Sequence, residues 1–154
     1  MDRVYACSGI FIAHLRGNEH HSLACTNILD AARDGLVELH TSYFTVAEVL
    51  AKEPPLARRT REDQQTIKKL MDSDFINYSA VEMLVSEIAR NVSWEFQVKP
   101  PDAIHIATAI QRKCSVFYTT DVPLLARSGS HNDRITLPEI RLPEFLIQQP
   151  ILPF

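Results

Sequence analysis

Asp102 and Asp121 stand where separate stretches of backbone can deliver carboxylates to one place. Asp102 follows Lys99-Pro100-Pro101 and opens a small-residue helical pattern, Ala103-Ile104-His105-Ile106-Ala107-Thr108-Ala109. Asp121 ends a short run, Phe117-Tyr118-Thr119-Thr120. A third acid, Glu48, lies with Thr45 and Lys52 on the narrow polar stripe of an otherwise apolar helix. Carboxylates that converge in partly buried surroundings repel by an amount on the order of several kcal/mol unless a cation joins them. Hard oxygen ligands suit Mg2+ or Mn2+. Such ions make a nucleophile from bound water and support in-line displacement at phosphorus.

Each of these residues also has a plainer reading. Asp102 after two prolines, and Asp121 before Val122-Pro123, both suit helix N-caps. Thr45-Val46-Ala47-Glu48 has the spacing of a capping box. His105 within Ile104–Ile106 reads as a packed or hydrogen-bonded core histidine. The strongest local basic feature is Arg58-Arg59-Thr60-Arg61 with Lys68 and Lys69, either a solvated helix face or a contact for phosphates. Tyr5, Phe11, Phe44 and Tyr118 sit in apolar elements and read as core.

At 154 residues the chain is long enough for one domain with a proper core, expected over 1–145 and followed by a proline-rich tail at 146–154. The hydrophobic fraction of 45% and charged fraction of 23% are those of an ordinary globular protein. A net charge of −3 excludes a global basic field but not a local basic face. Cys7, Cys25 and Cys114 are odd in number, lack metal-type spacing and read as reduced thiols. No apolar run approaches 18 residues and no signal-like stretch opens the chain, so a cytoplasmic protein without membrane contact is expected.

Patterning predicts strands over 3–7, 36–40, 75–78, 115–118 and 139–142. Helices are predicted over 10–15, 21–33, 43–52, from 60 past Met71, from a Ser79-Ala80-Val81-Glu82 capping box to Val92, over 102–112 and over 121–127. Val81, Leu84, Val85, Ile88 and Val92 form the apolar face of the fifth of these. Alternating strands and helices imply an α/β fold with a mainly parallel sheet covered on both faces. In such folds sites gather at the carboxyl ends of the strands, where Cys7 and Asp121 fall. A flavodoxin-like ligand domain would share this layout, but its phosphate loop is glycine-rich, and the four glycines here form none.

Four patches, in order, resemble the PIN-domain family and within it the small VapC-type toxin ribonucleases: Val4-Tyr5-Ala6-Cys7-Ser8-Gly9-Ile10-Phe11-Ile12, Thr41-Ser42-Tyr43-Phe44-Thr45-Val46-Ala47-Glu48-Val49-Leu50, Pro101-Asp102-Ala103-Ile104-His105-Ile106-Ala107-Thr108-Ala109 and Tyr118-Thr119-Thr120-Asp121. The resemblance implies a three-layer α/β/α sandwich and endonucleolytic cleavage of RNA with Mg2+ or Mn2+. It implies that Glu48, Asp102 and Asp121 hold metal or orient its water, that Thr119 and Thr120 assist beside the last acid, and that a homodimer is held inactive by a cognate antitoxin. Arg58, Arg59 and Arg61, with Thr119 and Thr120, are the candidate contacts to RNA.

The departure is at the first motif. Cys7 stands where the family has an aspartate, and Gly9 where it often has asparagine. A thiol is a poor replacement for carboxylate on a hard ion and is mostly protonated near neutral pH. Cys7 otherwise reads as a small buried hydrophobe at a strand end or as a thiolate that recruits Zn2+. The alternative function is therefore a catalytically silent PIN fold that binds RNA or protein.

Overall fold

Val4, Tyr5 and Ala6 are consecutive residues of the first strand, β1 (Asp2–Ala6), and all three are buried. Neighbouring side chains on a strand point to opposite faces, so this strand is covered on both. The computed structural model describes residues 1–50 and 58–146. In it β2 (Val37–Ser42), β3 (Ile76–Ser79), β4 (Val116–Tyr118) and β5 (Glu139–Arg141) join β1 in a five-stranded sheet of order β3-β2-β1-β4-β5. Every adjacent pair is parallel. The chain leaves β1 for β2 and β3 on one side, then returns to β4 on the other. The reversal falls between β1 and β4, the place where an open α/β sheet forms a crevice beyond its carboxyl ends.

Among the described residues six helices connect the strands: α1 (Ser8–Arg16), α2 (Ser22–Arg33), α3 (Tyr43–Leu50), α4 (Arg61–Met71), α5 (Met83–Phe96) and α6 (Pro100–Gln111), with a 3-10 helix at Val122–Arg127. α1 packs on α2 and α3, while α5 packs on α6. The predicted stripe of α2, Ala24, Ile28, Ala31 and Ala32, is buried, and the helix ends before Gly35 at φ +76. Tyr5 and Phe117, register partners on β1 and β4, stack with centroids 5.1 Å apart and planes within 3°. Ala103, Ile106 and Ala107 of α6 are fully buried, and small residues there allow close approach to neighbouring elements.

Several boundaries differ from the sequence expectation. Strand β1 stops at Ala6, and Cys7 is the N-cap of α1. Strand β2 runs on to Ser42, because Thr41 and Ser42 pair with Tyr78 and Ser79. The Ser79–Glu82 capping box does not form: Ser79 belongs to β3, its hydroxyl receives Arg112 Nε at 2.6 Å, and α5 begins at Met83. Val81 and Leu84 are consequently exposed, and the buried face of α5 is Val85, Ala89 and Val92. Thr45 is no cap either, for it is buried with its hydroxyl 2.7 Å from that of Thr41. The predicted end of the third helix at Lys52 with Pro54-Pro55, and the tail from 147 onward, lie outside the described residues.

Thr60 does cap α4, its hydroxyl accepting the Asp63 N–H at 3.1 Å. Thr60→Ala is expected to lower stability by about 1 kcal/mol in urea unfolding. Glu82→Ala, at an N-cap with no side-chain bond, is expected to leave stability within about 0.5 kcal/mol of the parent.

Candidate active site

Helix α6 starts at Pro100, two residues before the position expected. Proline lacks the N–H that a first turn leaves unpaired, so Pro100 and Pro101 fit there at no loss. Asp102 is thus not an N-cap but a first-turn residue, half-buried. Asp121 leaves the end of β4 through Thr119 and Thr120 and precedes the 3-10 helix without capping it by its side chain. Its backbone N–H donates to Thr119 Oγ1 at 3.0 Å, which fixes the turn. The two aspartates line one cleft of about 300 Å3, flanked by Lys99, Pro123, Leu124 and Arg127.

Burial raises the Asp102 carboxyl above its ordinary value, and the charges of Asp121 and Glu48 raise it further; His105 and Lys99 act in the opposite sense. Asp121 and Glu48 are thus both within electrostatic reach of Asp102. They are not, however, a closed ligand set: among the described residues no three His, Cys, Asp or Glu side chains are grouped as a metal cluster.

Glu48 is held by other means. Its Oε1 accepts from Ser8 Oγ at 3.1 Å and is hydrogen-bonded to His105 Nε2. His105 is buried on α6, in contact with the rings of Tyr5 and Phe44, and its Nδ1 lies 2.7 Å from the Tyr5 hydroxyl. It is the hydrogen-bonded core histidine expected, but its partner is one of the candidate acids. Burial keeps Tyr5 neutral by pushing its pKa far up.

Cys7 lies at the junction of β1 and α1, with its N–H on Tyr118 O at 3.2 Å. Its thiol faces the Thr119 hydroxyl and the N–H groups of Gly9, Ile10 and Thr120, yet burial outweighs them and pushes its pKa up. Cys7 is therefore a neutral thiol in a setting furnished with donors for an anion. Gly9 has a separate physical reason: a Cβ there would stand 2.3 Å from Thr120 Oγ1. The helix start and the turn before Asp121 can approach this closely only without a side chain at position 9.

The basic candidates divide. Arg58 and Arg61 are exposed and Arg59 half-buried at the start of α4, and none of them lines the acidic cleft. Thr119 is buried, and Thr120 is partly so. Sequence reasoning passed over Lys99 and Arg127, which border the acids and have no ion-pair partner among the described residues. Lys99 directly precedes the Pro-Pro-Asp motif, a signal that was available. Arg127 was visible only as the end of a short helix.

The donor set fits a hard divalent ion in part. Asp102 and Asp121 supply oxygen ligands under mutual repulsion, which suits Mg2+ or Mn2+ bound through two carboxylates and water. The neutral thiol of Cys7 does not fit such an ion. Because ionised Asp102 is disfavoured in the folded chain, its penalty is present above the folded pKa and vanishes below the unfolded one. Asp102→Asn is accordingly expected to raise the melting midpoint of the metal-free protein near neutral pH. The gain should disappear as pH falls below the carboxylate range, as calorimetry across pH can check.

The model of the PIN domain family matches residues 8–127. A search of curated proteins finds no match. Among solved structures, Mycobacterium tuberculosis VapC20, described as a Sarcin-Ricin loop cleaving toxin, superposes with a TM-score of 0.63 at 12% identity, covering 80% of this chain and 93% of that one. VapBC2 from Rickettsia felis, bound to a DNA fragment from its promoter, gives 0.63 at 11% identity, with 91% and 96% covered. A toxin-antitoxin complex from Klebsiella pneumoniae gives 0.54 at 21% identity, with 77% and 86% covered. At these identities the likeness is one of fold. With a parallel sheet of matching architecture and a family model spanning most of its length, the chain belongs to the PIN-domain family.

Proposed function

We propose that this chain is a metal-dependent endoribonuclease, the toxin component of a toxin–antitoxin pair. The observation that carries the reading is one cleft lined by Asp102 and Asp121 together with Lys99 and Arg127, two cations with no ion-pair partner among the described residues. Acids alone would repel a phosphodiester, and cations alone would merely bind it. Together they suit a site that receives a phosphate backbone and holds a divalent ion against it.

Asp102 and Asp121 would hold Mg2+ or Mn2+, with Glu48 as the third acid. When bound, the ion supplies activation of water at neutral pH and offsets negative charge at phosphorus. Lys99 and Arg127 bind the flanking phosphates and set the register of the strand. Glu48, anchored at Oε1, keeps a second oxygen to orient water or accept its proton. Thr119 fixes the turn that presents Asp121. Arg58 and Arg59, just before α4, and Arg61, its first residue, would be further contacts to the RNA backbone outside the cleft.

The partners in this reading are an RNA substrate, a cognate antitoxin and a second copy of the chain. The antitoxin is supported by the nature of the structural neighbours, two of which are toxin–antitoxin complexes. A cytoplasmic setting is consistent with the described helices, none of which is long and apolar enough to cross a membrane. A second reading, a silent PIN fold that binds without cutting, is favoured by the neutral thiol of Cys7 where a carboxylate ligand would serve better.

Cleavage of single-stranded RNA in Mg2+ or Mn2+ separates the two. Turnover by the native chain, reduced at least about 100-fold by Asp102→Asn, is expected. Cys7→Asp should tighten Mn2+ binding by about tenfold or more, since it adds a charged ligand among existing donors. If neither chain cleaves any RNA offered and neither binds Mn2+ by calorimetry, the nuclease reading fails. Lys99→Ala and Arg127→Ala should each weaken RNA binding about equally for all sequences. Each should also flatten the log–log salt dependence by about 0.7.

A further inference from the structure

Glu48 Oε1 is claimed twice, by Ser8 Oγ and by His105 Nε2, whereas Oε2 has no hydrogen-bond partner among the described residues. The chain of bonds continues on the far side of the imidazole, where the Tyr5 hydroxyl is 2.7 Å from His105 Nδ1 and makes no other hydrogen bond among the described residues. A carboxylate carries no proton, so at the other end Nε2 is the donor to Glu48 Oε1. With its proton on Nε2, a neutral imidazole accepts at Nδ1, and the one hydrogen Tyr5 carries is directed there.

The surroundings forbid an easy rearrangement. His105 is 2% exposed, with the Tyr5 ring centroid at 5.8 Å and that of Phe44 at 5.5 Å. A histidine needed only for packing could be replaced by an apolar neighbour such as those at 104 and 106. This one instead connects β1, α6, α3 and the start of α1 through polar atoms alone.

We propose that Tyr5 and His105 are positioning residues for Glu48: the buried phenol donates to Nδ1 and so favours the Nε2-protonated imidazole, and the imidazole with Ser8 pins one carboxylate oxygen so that only the other is offered to a cation or its water. The functional consequence rests on the nuclease reading; the proton arrangement does not. In chains with a carboxylate at position 7 the acids can restrain one another through a shared ion. Here that carboxylate is missing, and Glu48 is oriented by protein hydrogen bonds instead.

The test has an arm for each part. Long-range 1H–15N spectra of the native full-length chain, with histidine labelled, should show His105 protonated on Nε2. Tyr5→Phe, which removes one oxygen and keeps the ring, should shift the proton population toward Nδ1. An Nδ1-protonated His105 in the native chain, or a tautomer indifferent to Tyr5→Phe, overturns the proposal whether or not the protein binds metal. In Mn2+ titrations followed by electron paramagnetic resonance, Tyr5→Phe and His105→Ala should each weaken affinity about tenfold. His105→Gln, which restores an N–H near the Nε2 position, should recover most of it and should make Tyr5→Phe neutral in its background. Native affinity in Tyr5→Phe and His105→Ala, beside weakened affinity in Glu48→Gln, overturns the positioning role. Native affinity in Asp102→Asn and Asp121→Asn sinks the metal reading instead, and the spectra still decide the proton relay.

Discussion

Repulsion between carboxylates at the carboxyl edge of the sheet is the constraint around which this molecule is arranged. Asp102 and Asp121 share a cleft, and Glu48 adds its charge at Asp102, so the folded state holds a negative locus that His105 and Lys99 offset only in part. Nothing about packing favours that. It is tolerated because each acid is fixed by elements that the core already secures. Asp102 rides on α6, whose alanines are buried, and Asp121 follows the buried strand β4 through a turn closed by Thr119. Glu48 is tied across α3, α6 and β1 by the Ser8, His105 and Tyr5 bonds.

Cys7 brings no charge to the same edge of the sheet. The strand order places it at the β1/β4 reversal, beside the turn leading to Asp121, and surrounds its thiol with donors. Those donors would suit an anion, yet burial keeps the sulfur protonated. The negative charge is lower than a fourth acid would make it, and the need for a cation is correspondingly less.

Much of this was legible in the chain. Five apolar runs separated by helical periodicity imply the parallel sheet, and Asp102 and Asp121 were singled out because one lies at a helix start and the other at a strand end, where topology sends side chains to a common edge. Local capping patterns were the weak point. Ser79–Glu82 and Thr45–Glu48 have the right spacing, but tertiary partners took the caps away: Ser79 pairs in β3 and meets Arg112, and Thr45 turns into the core to Thr41. Asp102 was placed at a helix start, yet the prolines before it begin the helix earlier. Lys99 and Arg127 were overlooked because a basic run draws the eye to Arg58–Arg61, whereas the cleft is made by residues far apart in sequence. The bond between His105 and Glu48, 57 residues apart, has no sequence signature at all.

The central claim is that Asp102 and Asp121 form a cation site. Anomalous diffraction from a crystal soaked in Mn2+ tests it most directly. The account predicts a peak at roughly 2.0–2.2 Å from oxygens of both aspartates, with remaining ligands from water or Glu48. A saturated soak with no peak in that cleft, or with manganese only at other surface carboxylates, would contradict it.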